Sequence, residues 1–467
     1  MATHPAPGNP RLSLWRRVRE YAVPPSMIET ATARRRAGDW AGACAAAGVD
    51  VDLDLRAVAR AHGRDLAARV RDDLRHLAPD LLRWHLPRIA PDGLLRPGLT
   101  LALARYDTPG PAGPAPPHLV VRTPPAWADG GQRIGLALWD GTPAPVDAPH
   151  HPHPRPSRRF RLDLHRHLWD ARRAGELRER SGAGRPPDEE VPGPPRPVPD
   201  GRRCAVGRWA AEAGLLLAAE GRGSGAVLVR LGGRRRLLLD VVTDGPSAPR
   251  LAAVTVPADG GGSSVLPVLP DAATWVPPDL ELLRAGELTA GRLHPLVAAA
   301  LAPDRAPDAG HERRAPASAI HIVPCRGARH RIGPVDGVLA PLDHTPEEIR
   351  REELLAALTG EPLPCLRVVD AFHRRPDCFP GVLERLNHGD ITGALAVVEG
   401  LLGPGAVLRD GPLRDALENA ARRRIAHGLY RAGLADPGPG RFRAVAGSGR
   451  GRRWRPRTDA PVTKTFY

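Results

Sequence analysis

Lysine is almost missing from this chain. Of its 67 basic residues only Lys464 is a lysine, and all the others are arginine. A P-loop needs a Gly-Lys-Ser/Thr run to cradle phosphates, protein-kinase chemistry needs a strand lysine, and Schiff-base catalysis needs an amine. The body of the chain offers none of these. Glutamine is confined to Gln132 and asparagine is scarce, which argues against bidentate reading of adenine. Five scattered cysteines, an odd number, do not make a disulfide framework. No apolar run approaches the ~18 residues that a membrane span takes. Residues 1–20 carry Pro5, Pro7 and Pro10 where a signal peptide would have a compact apolar core. These absences set the expectation of a cytoplasmic chain with reduced thiols and no membrane span.

What is abundant rises together. Arginine, alanine, glycine (50) and proline (54) are all inflated, as GC-rich codon usage would make them. The formal charge of +15 is therefore discounted as a sign of nucleic acid. The length of 467 residues suggests roughly three domains.

The clearest local signal is Thr345-Pro346-Glu347-Glu348. Thr345 and Glu348 form a capping box and Pro346 sits at the first helical position, so a helix is expected over 346–358, with Gly360 as its stop. Before it, Ile320–Val323 alternates as a short strand, followed by an Arg/Gly/Pro-rich loop over 326–341. Helices after it are expected over 366–374, 382–386, 391–402 and 413–432.

The fold class expected is α+β: a helical N-terminal region, a β-rich centre in two mainly antiparallel parts, and a helical C-terminal bundle. The boundaries read as a flexible arm (1–24), a helical region (25–88), and a β-rich domain with a closing helix (99–180). A Pro-rich linker (181–201) and a second α+β domain (202–301) follow. Then come a linker (302–318), a strand plus helical bundle (319–435) and a disordered Arg/Gly-rich tail (436–467). Within the β-rich parts, strands are expected at 99–105, 118–122, 134–139, 160–164, 226–231, 237–242, 251–256 and 265–269, and a helix at 168–180.

Ala37-Gly38-Asp39-Trp40-Ala41-Gly42-Ala43 is echoed by His388-Gly389-Asp390-Ile391-Thr392-Gly393-Ala394, and more loosely by residues 283–291. The pattern resembles the turn of tetratricopeptide-type hairpins. It has neither their repeat spacing nor their signature aromatics, so no function is carried across.

Four constellations bear on chemistry. Cys325-x4-His330 and His373-x4-Cys378 together offer two thiolates and two imidazoles, a set that suits a closed zinc site; Cys365 is spare. His321, His330, Asp336, Asp343 and His344 are candidates for acid–base work beside the capped helix. His150, His151, His153, His165 and His167 cluster in a Pro-rich region, and Gly221–Gly225 reads as a hairpin loop. In the tail, Arg450, Arg452, Arg453, Trp454 and Arg455 combine phosphate-pairing charge with a stacking ring.

The expectation that best fits these absences is a non-catalytic interaction protein with no cofactor. It would present helical surfaces to a protein partner through Arg414, Arg422, Arg423 and Arg424 on the last long helix. Two alternatives stand beside it: a nucleic-acid-associated protein using the tail, and a zinc-dependent enzyme or zinc-stabilised domain using Cys325, His330, His373 and Cys378.

Overall fold

The computed structural model describes residues 9–107, 115–142, 151–184, 202–233, 235–243, 248–256, 266–303, 320–325, 327–336, 338–360, 363–434 and 465–466. The fold is α+β with mainly antiparallel sheets. The chain divides into two compact units. The larger takes Met1–Trp127, Arg133–Pro307 and Ala432–Tyr467, and the smaller takes Ala128–Gln132 and Asp308–Arg431.

In the larger unit the chain enters through α1 (Pro10–Arg17), capped by the Asn9 side chain and continued by a π-helical turn over Val18–Ala22. Leu14, Trp15 and Val18 are buried, and Trp15 packs on Trp84 with ring centroids 5.1 Å apart. The flexible arm expected over 1–24 is thus corrected from residue 10 onward: the amphipathic segment is part of the main core. Next come α2 (Pro25–Arg36), α3 (Trp40–Ala46), β1 (Val49–Val51), α4 (Leu55–His62), α5 (Arg64–His76) and α6 (Pro79–Trp84). β2 (Arg88–Ile89) and β3 (Leu94–Leu95) make a small hairpin. β4 (Thr100–Arg105), β5 (His118–Arg122) and β6 (Ile134–Trp139) pair antiparallel, and β1, too short to stand out in the sequence, joins β6 in parallel.

Both expectations for residues 160–180 fail. Residues 160–164 form turns with a single bridge to Ala102, and in place of a helix over 168–180 there are short 3-10 turns and α7 (Leu177–Arg180). α8 (Val206–Ala219) was not expected, although Trp209, Ala213, Leu216 and Leu217 recur at helical spacing and are buried. It packs on an antiparallel sheet of β7 (Gly225–Arg230), β8 (Arg236–Val242) and β9 (Arg250–Thr255). Gly221–Gly225 is the turn from α8 into β7, not a hairpin loop. Among the described residues of the strand expected over 265–269, only a bridge at Val268 is formed. α9 (Asp271–Thr274), α10 (Pro278–Arg284) and α11 (Pro295–Leu301) complete the main body.

Arginine is used here as a planar fork. Arg159 grips Asp271 through Nε and Nη2 at 2.6 and 2.7 Å. Arg180 holds Glu212 at 2.6 Å through both nitrogens, and Arg133 holds Asp50 at 2.9 and 2.6 Å. Such two-point pairs fix orientation as well as charge.

His85 is buried in this unit, beside Arg19, His294 and Asp279. Burial first, then Arg19 and His294, push its pKa down to about 3. Below the ordinary value near 6.5 the unfolded chain takes up a proton that folded His85 refuses. Stability therefore falls with falling pH from about 6.5 towards 3, on the order of 1.4 kcal/mol per pH unit for one such group. Urea midpoints at pH 7, 5.5 and 4.5 are expected to fall in that order, with a shallower slope in His85→Asn.

The smaller unit opens with a three-stranded antiparallel sheet, β10 (His321–Cys325), β11 (Ala328–Val335) and β12 (Val338–Pro341). The loop expected over 326–341 is therefore two further strands; Gly327, at φ +83°, makes the first reversal. Among the described residues five helices follow: α12 (Pro346–Thr359), α13 (Pro364–Arg374), α14 (Phe379–His388), α15 (Ile391–Leu402) and α16 (Pro412–Arg431). The capping box is present as expected: Thr345 Oγ1 accepts from Glu348 N–H, and Glu348 accepts from Thr345 N–H at 2.8 Å. Such a cap contributes on the order of 1 kcal/mol. The core joins Val323, Ile332 and Leu339 of the sheet to Val369, Val382, Leu386, Val398 and Leu413 of the helices.

The repeated Gly-Asp motif has the same geometry in both units. Gly38 and Gly389 take positive φ, and Asp39 and Asp390 accept from the N–H of Gly42 and Gly393. A Cβ on Gly42 or Gly393 would meet the capping carboxylate at 2.1 or 2.2 Å. The echo is thus a shared helix-hairpin turn whose second glycine makes room for its cap. After chain position 434, the only described residues are β13 (Thr465–Phe466), antiparallel on β2. No helix among the described residues is long and apolar enough to cross a membrane.

Candidate metal centre

Alternation along β10 places Val323 and Cys325 on one face of its sheet, and the pairing of Val323 with His330 puts His330 on that same face. It is the inner face, where Val323, Cys325 and Ile332 are buried. Past β12 the chain is drawn back onto the middle strand. Leu342 N–H donates to the Arg331 carbonyl at 2.8 Å. Asp343 accepts from Arg331 N–H at 2.6 Å and from its guanidinium at 2.7 Å. Those bonds hold the Asp343 carboxyl down to about 2. His344 follows directly, and its ring stacks on His330 with centroids 4.4 Å apart and planes 10° from parallel.

Cys365 arrives from the helical side, as the second residue of α13, and is fully buried. Its Sγ lies 3.7 Å from Cys325 Sγ and 3.6 Å from His344 Nε2. One ligand atom from each of Cys325, His330 and His344 lies within 4.8 Å of the others. His330 Nδ1 is buried with no hydrogen-bond partner.

The Cys325–Cys365 and Cys365–His344 spacings are those of neighbouring ligands on one tetrahedral zinc ion, and the His330 ring, stacked on His344, would have to turn to aim a nitrogen at the same point. Two sulfurs about 2.3 Å from one metal at the tetrahedral angle stand about 3.7–3.8 Å apart, and a sulfur and an imidazole nitrogen about 3.5–3.6 Å apart. A sulfur pair alone could be a thiol hydrogen bond. Two imidazoles beside Cys325, one with a buried unbonded nitrogen, are what a cation would satisfy. Burial, then the neighbouring Cys325 sulfur, push the Cys365 thiol up to about 11. Without a cation it therefore stays protonated at neutral pH; a divalent ion reverses this by holding the thiolate. Cys325, His330 and His344 form the mutually close group, and Cys365 adjoins it through Cys325 and His344; an ion held by all four would have a closed tetrahedral shell, with no position for a substrate or an activated water.

The expected ligand set is half corrected. Cys325 and His330 belong to the cluster; His373 and Cys378 do not, and His344 and Cys365 take their places. The reason is helical rise: His373 lies eight residues beyond Cys365 on α13, about 12 Å along its axis, and Cys378 lies past the end of that helix. His373 is buried, and burial together with Arg409 pushes its pKa down.

The acid–base candidates scatter into other roles. His330 and His344 are cluster members, Asp343 binds Arg331, His321 lies against Phe372 at 4.7 Å, and Asp336 sits in the turn between β11 and β12. Of the histidine group, His150 is outside the described residues. His151 is buried and bonds the Thr123 carbonyl, while His165 faces Glu212 at 3.2 Å. On α16, Arg414 pairs with Asp410 and Glu418, Arg422 with Glu418, and Arg423 donates to the Leu386 carbonyl, leaving Arg424 as an exposed member of the run. Much of that charge is thus engaged within the bundle. The tail candidates Arg450, Arg452, Arg453, Trp454 and Arg455 lie outside the described residues.

Comparison with family models, with curated proteins and with solved structures finds no match.

Proposed function

We propose that the smaller unit is a zinc-stabilised, non-catalytic module, and that the protein acts by binding a protein partner rather than by turning over a substrate. The observation that carries the zinc reading is the grouping of Cys325, His330 and His344, from two strands and a loop, with Cys365 of a helix within 3.7 Å of Cys325 and 3.6 Å of His344. In a closed set of this kind an ion is structural, pinning the sheet to the helices beside a small core. All five cysteines are free, and thiolate ligands last in a reducing compartment, which supports the cytoplasmic expectation.

Metal analysis of the untagged full chain tests this. One zinc per chain is expected in the wild type and in His373→Ala, and none in Cys325→Ser or Cys365→Ser. Cobalt substitution is expected to give thiolate charge-transfer and tetrahedral d–d bands. A chain that purifies without metal and takes up none, or one that keeps its zinc in Cys365→Ser, would sink the reading.

A further inference from the structure

α12 turns its leucines away from its own unit. Its 14 residues include none that is buried. The half-buried positions are Ile349, Glu352 and Ala356, which share one side. Leu354 and Leu358 lie on the opposite side and are 63% and 85% exposed, with Leu355 at its edge. Leu358 is nine residues from Ile349, about 180° around the axis. A surface helix normally docks through its leucine stripe. This one turns the stripe outward and offers the body Ile349, Glu352 and Ala356.

Its helical form is encoded locally, by the capping box and by Gly360 in the left-handed region at φ +74°. Its place is not. A helix of this length is marginal in water without tertiary packing. No residue of α12 belongs to the core shared by the sheet and α13–α16. What brackets it are two cluster members: His344, one residue before the N-cap, and Cys365, just inside the next helix. One ion bound to both closes 344–365 into a loop, and closing a loop removes the freedom that would let the helix detach.

Resting on the zinc reading above, we propose that metal occupancy controls α12: the ion clamps both flanks of the helix and thereby decides whether Leu354, Leu355 and Leu358 are displayed on an ordered surface. With zinc the helix is held and its leucine face is presented. Without zinc the sheet and α13–α16 keep their own core, while α12 opens locally.

Hydrogen exchange of the full chain, with and without a zinc chelator, is the test, with zinc content measured on the same samples. Chelation is expected to bring the amides of 346–359 close to unprotected rates, while those of 382–402 stay protected. Cys365→Ser is expected to show the same pattern with no chelator. If the zinc-loaded protein loses protection equally in both segments, the ion holds the whole unit and the proposal falls. It falls too if 346–359 stays protected after the metal has gone. Each of those results leaves the zinc site standing; absence of bound zinc removes both.

Discussion

Replacing Cys365 by serine will lower the stability of the smaller unit by about 4 kcal/mol when zinc is present at roughly a thousand times its dissociation constant. The substitution is nearly isosteric, so it leaves the packing around α13 in place and removes one of the proposed ligands. The loss is therefore of linkage, not of core. It should vanish when wild type and variant are compared in chelator, where neither has an ion to lose. Thermal or urea unfolding followed by a probe in the smaller unit reads the difference. Equal midpoints in zinc would mean that the wild type draws no stability from metal. A difference that persists undiminished in chelator would mean that Cys365 matters as a buried thiol. The companion variant Cys378→Ser should change little in either condition, since its sulfur is not in the cluster.

In the larger unit, Asp279→Ala should cost about 3–5 kcal/mol, because it leaves a buried cation without its carboxylate. Asp279 is fully buried on α10. It accepts from Trp84 Nε1 at 2.7 Å and from Arg19 at 3.4 Å, and Arg19 stacks over the Trp84 ring at 4.0 Å. Burial outweighs the attraction on both sides: the Asp279 pKa is raised and the Arg19 pKa lowered. Nε and Nη1 of Arg19 are buried with no partner. A pair this imperfectly matched is expensive to break and cheap to replace. The double variant Arg19→Met with Asp279→Asn should thus be more stable than Asp279→Ala alone. Urea titration of the three proteins decides this, and the opposite order would show that the ion pair itself is strongly stabilising.

What could be read without coordinates depended on how local the signal was. The box at Thr345 lies within four residues, and it folds as the sequence says. The helices after it follow the same rule, each bracketed by proline or glycine. The two strands after Cys325 were hidden because glycine, proline and arginine interrupt the period-two pattern that marks a strand. That omission carried through to the metal site. Only in the register of a hairpin do Cys325 and His330 share a face, and only then does the next chain segment deliver His344. The C-x4-H pair and its mirror image do not come together in space: the side chains beside Cys325 and His330 are His344 and Cys365, which flank a helix. α8 was obscured differently: its apolar spacing is regular, but it begins close behind a Pro-rich stretch. At the N-terminus, the prolines of the first ten residues hid the fact that Trp15 is core.

The arginine forks change how the composition of the chain should be viewed. Codon pressure can supply arginine blindly, but Asp271, Glu212 and Asp50 each meet it through two parallel bonds. A lysine ammonium has no second planar nitrogen to give them. Once such contacts exist, the bias stops being neutral at those positions. A genome drifting towards AT-rich codons could trade surface arginines freely, yet would find these three locked, and inherited chemistry would there outlast the mutational pressure that first provided it.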